Sequence, residues 1–155
     1  MFMAKYRPNV CIVVRKVGTD QVLLCHRKGF PADAGWQFPQ GGLHRGASLL
    51  AEMRRELEEE TGIRDVEVVE ASESSYTYEF PEGLKLKHQE YAGQTQRWVL
   101  VDFPGSDDTI SFSREPAEFD SWCWVSARTA LDRIVDFKKA TYTRALADLG
   151  LIQNP

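Results

Sequence analysis

Residues 55–63 read Arg-Glu-Leu-Glu-Glu-Glu-Thr-Gly-Ile. On a helix, Glu56, Glu59 and Glu60 occupy positions i, i+3 and i+4, so three carboxylates project from one side of two successive turns. Like charges this close repel each other and would weaken an isolated helix. Mg²⁺, a hard cation that prefers oxygen ligands, would convert this repulsion into a binding site. A charged face exposed to water is the alternative interpretation, but the glycines that flank the stretch favour a metal site.

The helix that carries these carboxylates has recognisable ends. Ser48 suits the N-cap position, because its side chain can accept a hydrogen bond from the first turn. Gly62 suits the position after the last helical residue, where the backbone turns left-handed. Four apolar residues at helical spacing predict the buried stripe: Leu49, Leu50, Met53 and Leu57. The acidic residues are therefore expected on the side opposite this stripe.

Segments rich in β-branched and aromatic residues predict strands before and after the helix. These strands cover residues 9–15, 21–26, 66–70, 74–80, 94–103 and 121–125. Loops are predicted at residues 28–35, 81–93 and 104–118, and residues 127–149 hold one or two further helices. The mixture of hairpins and helices predicts an α/β fold, a sandwich around a mixed sheet, in a single domain spanning residues 1–155.

The composition excludes several classes of partner. The net charge of −4 gives no general attraction to nucleic acid, and we expect no DNA partner. No apolar run approaches the roughly 20 residues that span a bilayer, and the first residues lack the apolar core of a signal peptide, so no membrane partner is expected. Cys11, Cys25 and Cys123 share no metal-ligand spacing and are interpreted as reduced core thiols of a cytoplasmic protein. The oligomeric state is not readable, and a homodimer stays possible.

Gly41 and the stretch from Arg55 to Ile63 together match the pattern of the Nudix box. That pattern is Gly, five residues, Glu, seven residues, then Arg-Glu-aliphatic-x-Glu-Glu-x-Gly-aliphatic, and eight of its nine specified positions agree over residues 41–63. The chain therefore resembles the Nudix hydrolase superfamily. The resemblance implies a loop–helix–loop motif on an α/β/α sandwich, dependence on Mg²⁺, for which Mn²⁺ could substitute, and hydrolysis of a nucleoside diphosphate linked to a further group.

One position departs from the box, because Ala47 stands where the pattern has its first Glu. A carboxylate there would lie at the start of the helix, where it favours the helix dipole and could reach Arg55. Losing a supporting carboxylate typically costs about 10–100-fold in metal affinity or activity. We therefore expect a working enzyme that needs more metal.

The resemblance extends beyond the box to a particular branch of the superfamily. The branch is that of the bacterial RNA pyrophosphohydrolases and their dinucleoside-polyphosphate-hydrolase relatives. The segments that carry this likeness are residues 6–10, 36–42, 93–98, 118–125 and 137–138. They cover nearly the whole chain, and as a set they are specific to that branch.

The resemblance implies a metal site built from Glu56, Glu59 and Glu60, with Glu118 completing the cluster or activating water. Gly41 would offer its carbonyl oxygen to the metal, although a glycine that serves only a turn is the alternative. For Glu118, an ordinary loop residue is the alternative interpretation. Glu56 is the first choice for the general base and Glu118 the second.

Arg55 is expected to orient Glu56, and a simple surface ion pair is an equally good account. Phosphate contacts are assigned to Arg7, Arg27 and Lys138, because arginine binds phosphate oxygens bidentately and lysine supplies a point charge.

Phe137, next to Lys138, could stack on a base, an interaction worth roughly 1–3 kcal/mol per base. Its alternative role is a core contact of the C-terminal helix. The predicted loop at 81–93 contains three basic residues, Lys85, Lys87 and His88. They could contact an RNA backbone, although a loop that is merely exposed to water is the favoured interpretation. No role is assigned to His26 or His44.

The leading hypothesis is a Mg²⁺-dependent pyrophosphohydrolase that acts on the 5′-triphosphate end of RNA and releases pyrophosphate or successive phosphates. A dinucleoside-polyphosphate hydrolase and a nucleoside triphosphate pyrophosphohydrolase are alternatives, distinguished by what the loops at 28–35 and 81–93 accommodate. The loop at 28–35 is longer than the branch leads one to expect, which leaves the base pocket open. A catalytically silent nucleotide or RNA binder is a third alternative, and only Ala47 favours it.

Overall fold

The computed structural model describes residues 5–87 and 90–153, and the side chains of residues 85–87 are outside that description. The strands are β1 (Tyr6–Lys16), β2 (Gln21–Arg27), β3 (Trp36–Gln37), β4 (Gln40–Gly42), β5 (Glu67–Ala71), β6 (Tyr76–Glu79), β7 (Gly93–Phe103) and β8 (Phe119–Ser126). The helices are α1 (Leu49–Thr61), α2 (Glu82–Lys87), α3 (Ala127–Arg133) and α4 (Asp136–Asp148), with a 3₁₀ turn at Asp107–Thr109.

The strands form one mixed sheet, as the sequence predicts. Its central order is β3-β2-β1-β7-β5, while β4 pairs with β1, β6 with β7 and β8 with β2. The pairing of β1 with β7 is parallel along both strands, from Tyr6 opposite Gly93 to Lys16 opposite Phe103. The other pairs are antiparallel. The predicted hairpin of the first two strands is confirmed.

Helices cover the sheet on both faces and give an α/β/α sandwich. Successive residues of a strand point to opposite faces. Val10, Ile12 and Val14 of β1 accordingly pack in one buried cluster with Met53 and Leu57 of α1. The intervening residues of β1 pack on the other face, with α3 and α4. Because both faces are buried, β1 reads as a continuous apolar run and not as an alternating one.

Both predicted ends of α1 are confirmed. The Ser48 side chain accepts a hydrogen bond from the backbone N–H of Ala51, and Gly62 has φ of 75° and donates its N–H to the Glu58 carbonyl. The predicted buried stripe is wrong at Leu50, which is 39% exposed. A 13-residue helix on a flat sheet presents only a narrow face to it, and Leu50 lies beyond that face.

The loop predicted over residues 81–93 is wrong in its first half, where α2 forms. Gly83 in its first turn lowers helix propensity and hides the helix in the sequence. His88 lies outside the described residues, as do the side chains of Lys85 and Lys87, so the predicted basic surface stays a prediction. The C-terminal region divides into α3 and α4 at Val135, an apolar residue that is nevertheless 49% exposed.

The three cysteines are free thiols, and Cys11 and Cys25 are fully buried while Cys123 is half-buried. Their interpretation as unpaired thiols within the core is therefore confirmed. Among the described residues, no helix combines the length and apolar character needed to cross a membrane.

Candidate active site

The close contact between β4 and α1 begins at Gly41. Strand β4 pairs with β1, with Gly41 opposite Val10, and this pairing carries the glycine past the side of α1. A Cβ atom on Gly41 would lie only 2.1 Å from Cδ of Glu56. Gly41 lies in a strand and its φ is not positive, so the idea that it serves only a turn is wrong. Glycine at this position leaves room for the Glu56 carboxyl group to pack on the bare backbone.

A buried acidic ridge runs along α1, at a spacing of four residues. Glu52, Glu56 and Glu60 are 8%, 8% and 6% exposed. The apolar residues Met53 and Leu57 each follow one of these glutamates and lie about 100° further round the helix. The acidic ridge therefore borders the apolar stripe, and the expectation that the two lie on opposite sides is wrong.

Arg55 ties several of these carboxylates together. Its Nε lies 3.0 Å from Glu52 Oε2, and its Nη2 donates to the same oxygen and, at 3.0 Å, to Glu56 Oε1. Its Nη1 donates to both oxygens of Glu59 at 3.1–3.2 Å. These bonds, above all those to Glu52, raise the pKa of Arg55 and keep it charged. Glu59 is thus paired at the rim, with 38% of its side chain exposed, and is not part of the buried ridge.

Glu60 and Glu118 meet at the C-terminal half of α1. Burial raises the pKa of the Glu60 carboxyl group well above its usual range, and the nearby charges of Glu118 and then Glu56 raise it further. Glu60 is within hydrogen-bonding reach of Glu118, yet its Oε2 has no partner among the described residues. Burial also raises the pKa of Glu56, against the opposing charge of Arg55. Glu118, which is far from α1 in sequence, therefore lies near Glu60 of that helix.

Arg7 lies directly beside the glycines of β4. Its Nη2 is 2.9 Å from where a Cβ on Gly42 would stand, so the second glycine leaves room for the guanidinium group. Its Nη1 donates to Gln94 Oε1 at 3.1 Å, and Gln94 Nε2 donates to the Tyr78 hydroxyl group. Gln94, for which the sequence predicts no role, therefore links Arg7 to Tyr78.

Lys138 and Phe137 begin α4 and gather around Tyr78. Lys138 Nζ lies 5.4 Å from the centre of the Tyr78 ring and 5.8 Å from that of Phe137, and the two rings are 5.8 Å apart. Burial lowers the pKa of Lys138 to about 8, and the charge of Arg27 lowers it too. Phe137 is half-buried against the core, so one part of its ring packs inside and another faces outward.

Arg27 is exposed at the end of β2 and lies over the ring of Phe30, 5.6 Å from its centre. An open cleft of about 530 Å³ lies beside it. Its lining comes from β2, β3, β8 and the 28–35 loop: His26, Phe30, Ala32, Trp36, Asp120 and Ser121. His26 Nδ1 is 2.6 Å from Asp120 Oδ1 and its Nε2 donates to the Pro31 carbonyl, so this histidine fastens the loop to the sheet.

Comparison with known proteins identifies the family to which this constellation belongs. The NUDIX domain family matches residues 5–146. The chain belongs to the Nudix family. An RNA pyrophosphohydrolase of Saccharophagus degradans is 37% identical over 153 residues, which cover 96% of this chain and 88% of the relative. Another, of Francisella philomiragia, is 38% identical over 145 residues, which cover 91% of each chain.

Solved structures share the Nudix fold. The dihydroneopterin triphosphate pyrophosphohydrolase of E. coli has a TM-score of 0.67 at 18% identity and covers 92% of this chain and 98% of that chain. An Ap4A hydrolase of C. elegans has a TM-score of 0.59 at 18% identity, over 92% and 97% of the two chains. At this identity the likeness establishes the fold alone, and it confirms the predicted α/β/α sandwich.

Nudix hydrolases use divalent metal ions, and the carboxylates of this chain fit such an ion. Within the described ranges, no three His, Cys, Asp or Glu side chains already surround a common point, because Arg55 engages Glu56 and Glu59. The buried carboxyl groups of Glu56 and Glu60 and the exposed one of Glu118 nevertheless supply only oxygen donors, and one oxygen of Glu60 has no partner there. Their mutual repulsion is the kind that a divalent cation relieves.

Two residues of the Nudix box region were missed by sequence reasoning. Glu52 precedes Glu56 by four residues, and that spacing was the signal that could have placed it on the same ridge. His44 Nδ1 lies 2.9 Å from Glu52 Oε1. This contact joins the loop to the helix, and no local sequence pattern predicts it. The predicted roles of the box residues in binding metal remain predictions.

Proposed function

We propose that this chain is a Mg²⁺-dependent pyrophosphohydrolase that acts on the 5′-triphosphate end of RNA. The observation that carries the proposal is a series of contacts that links α1 to the start of α4 by way of the glycines of β4. It starts at Glu56 on Gly41, passes through Arg7 and Gln94, and reaches Tyr78 beside Lys138 and Phe137, in the order given by their contacts. Acidic groups at one end, cations in the middle and an aromatic ring at the other match a metal-bound polyphosphate attached to a base.

The relatives support the RNA end as the substrate. The two curated proteins described above carry the name RNA pyrophosphohydrolase and align with nine-tenths or more of this chain. The residues that we assign to substrate lie at opposite ends of that alignment, from Arg7 to Lys138. A relative that shared only the Nudix box would not support the assignment of both.

Each residue has a defined task in the proposed reaction. Arg7 and Lys138 bind the phosphate oxygens and offset their charge, while Phe137 stacks on a base. Water attacks a phosphorus of the chain, Glu56 accepts the proton that the water gives up, and the bridging P–O bond breaks. The products are a 5′-monophosphate end and pyrophosphate, or phosphates released in succession. When bound, a divalent cation would neutralise the phosphate oxygens and polarise the phosphorus under attack.

We infer that Gly41, Glu56, Glu59, Glu60 and Glu118 form the metal environment, with Glu118 as the second candidate for the base. Mg²⁺ is the proposed ion, and Mn²⁺ should substitute because both prefer oxygen ligands. The free thiols of the chain support a reducing compartment, the cytoplasm.

A second candidate function rests on the cleft beside Arg27. Its volume of about 530 Å³ is in the range of small-molecule sites, and Phe30 and Trp36 offer ring faces there. A second nucleoside could occupy it, as a dinucleoside-polyphosphate hydrolase requires.

Parallel assays decide between these functions. Triphosphorylated RNA, diadenosine tetraphosphate and GTP would be compared by kcat/KM at several Mg²⁺ concentrations. The proposal expects RNA to be preferred. A preference for the dinucleotide of more than about tenfold, or 1.4 kcal/mol, would favour the second candidate. Binding of RNA without turnover at any Mg²⁺ concentration would favour a silent binder.

A further inference from the structure

Position 47 lacks the carboxylate that the Nudix box specifies, yet the guanidinium group of Arg55 is not short of acidic partners. Glu52, which belongs to none of the specified box positions, accepts hydrogen bonds from both Nε and Nη2 of Arg55. These bonds are the largest cause of the raised pKa of Arg55. The missing carboxylate at Ala47 is therefore matched by an additional one, one and a half turns further along the chain.

Glu52 is held firmly from two sides. Its Oε2 accepts from Arg55, and its Oε1 lies 2.9 Å from Nδ1 of His44 in the loop before the helix. The residue is 8% exposed, and the hydrogen bonds from Arg55 and then His44 lower its pKa. His44 also accepts the backbone N–H of Ala47 through its carbonyl oxygen, at 3.1 Å. Both oxygens of Glu52 are thus engaged by groups on either side of position 47.

Arg55 has a choice of partners, and this choice affects the metal site. The same guanidinium group contacts Glu56 and Glu59, the carboxylates that we assign to metal. Without Glu52, the guanidinium group of Arg55 would pair with Glu56 and Glu59 alone. It would then compete with a cation for their carboxylate oxygens. With Glu52 in place, Nε and Nη2 both bind its Oε2, so Glu52 offsets part of the charge of Arg55 while the guanidinium group still contacts and orients Glu56.

We propose that Glu52 is a positioning residue that replaces the absent box carboxylate at position 47 by holding Arg55. The chain then needs no more metal than a protein with an intact box, contrary to the expectation drawn from Ala47 alone. This inference rests on the proposed metal-dependent function.

The test uses four variants of the full chain. Glu52→Gln removes the charge while keeping the size of the side chain. Ala47→Glu with Glu52→Gln moves the carboxylate to the box position, and Ala47→Glu alone adds a second one. Glu58→Gln is the matched control, because Glu58 lies on the same helix at an unspecified box position and pairs with exposed Arg64 at 2.9 Å.

Mn²⁺ affinity is measured without RNA, from the electron paramagnetic resonance signal of free Mn²⁺. Glu52→Gln should weaken binding by about 10–100-fold, the usual effect of losing a supporting partner, and the double variant should recover most of that loss. Ala47→Glu alone and Glu58→Gln should change affinity by less than about threefold, as for surface charges. An unchanged affinity in Glu52→Gln, a double variant no better than it, or a tenfold gain from Ala47→Glu alone would overturn the proposal.

A second readout needs no metal. In the metal-free protein, the Arg55 Nε–H resonance in a ¹H–¹⁵N spectrum should exchange slowly with water, and Glu52→Gln should shift it and speed its exchange while the melting temperature changes little. A resonance that Glu52→Gln leaves unmoved would overturn the proposal. If wild-type protein bound no Mn²⁺, the proposed function would fail, and this spectrum would still decide whether Glu52 positions Arg55.

Discussion

Glu60 and Glu118 lie within hydrogen-bonding reach of each other, although both are acids. The first is buried on α1 and the second is exposed in the loop before β8. Two carboxyl groups can share such a contact only when one of them keeps its proton, so the pair resists full ionisation. This contact therefore destabilises the folded protein at the place where we propose that a cation binds.

The variant Glu60→Gln should make the metal-free protein more stable. The folded-state pKa of Glu60 is raised, so wild-type protein loses stability as the pH rises from the ordinary carboxyl value of about 4.3 towards the raised value. Each unit of difference corresponds to about 1.4 kcal/mol, and glutamine does not titrate. Urea unfolding in the presence of a chelator should be measured at pH 5 and pH 8. The free energy of unfolding of the variant should exceed that of wild-type protein by more at pH 8 than at pH 5. Wild-type protein more stable than the variant at pH 8 would contradict this account.

Gly41→Ala should reduce activity far more than stability. The new Cβ would meet the far end of the Glu56 side chain, 2.1–2.5 Å away, and that flexible end would swing aside at little cost. A displacement of about 1 Å in a catalytic group can cost about 100-fold in rate. The control is Gly83→Ala, whose Cβ meets nothing within 4 Å and which lies in α2. Equal kcat values for the two alanine variants would show that Glu56 needs no contact with Gly41.

The kcat/KM of Lys138→Arg for RNA should increasingly exceed that of wild-type protein as the pH rises. The pKa of Lys138 is about 8, so its charge is present below pH 8 and is lost above it, whereas arginine stays charged. By pH 9 only about a tenth of the wild-type protein would carry the charge, which raises the apparent KM for RNA on the order of tenfold relative to the variant. The ratio of the two kcat/KM values between pH 7 and pH 9 measures this effect. A ratio that stays constant with pH would remove Lys138 from phosphate binding.

Phe137→Ala should affect both substrate binding and folding. Loss of a stacked base would raise the KM for RNA by about 5–150-fold, for 1–3 kcal/mol, and leave Mn²⁺ affinity unchanged. The half-buried ring also contacts Tyr78, so its removal should cost about 1–2 kcal/mol of stability. Val135→Ala, at an exposed apolar residue just before α4, is the control and should alter neither the KM for RNA nor the stability. Lower stability with unchanged RNA kinetics would make Phe137 a core residue only.

The local features of the fold were predictable from sequence because each depends on neighbouring residues. Ser48 and Gly62 mark the ends of α1 through local hydrogen bonds and backbone geometry, and the β-branched run of β1 predicts a strand without knowledge of its partners. Exposure was less predictable, since Leu50 and Val135 are apolar residues whose positions depend on how much of each helix the sheet covers.

The candidate site was predicted only in part, for a related reason. The Nudix box gives Glu56 and Glu60 from spacing, but the proximity of Glu60 to Glu118 depends on how β8 returns to α1. The hydrogen bond from Gln94 to Tyr78 joins two strands and has no counterpart in local sequence. Burial of Lys138 likewise depends on where α4 packs. Only the tertiary structure reveals these relationships.

Calorimetric titration of Mn²⁺ into the metal-free protein, in two buffers of different ionisation enthalpy near neutral pH, tests the central claim most directly. If buried Glu60, whose pKa is raised, keeps a proton that a cation displaces, wild-type protein should bind Mn²⁺ and release that proton, because metal binding requires deprotonated ligands. Glu60→Gln should bind weakly and release none, while Glu58→Gln should behave like wild type. Wild-type affinity retained in Glu60→Gln, with the same proton release, would show that the acidic ridge of α1 does not hold the metal.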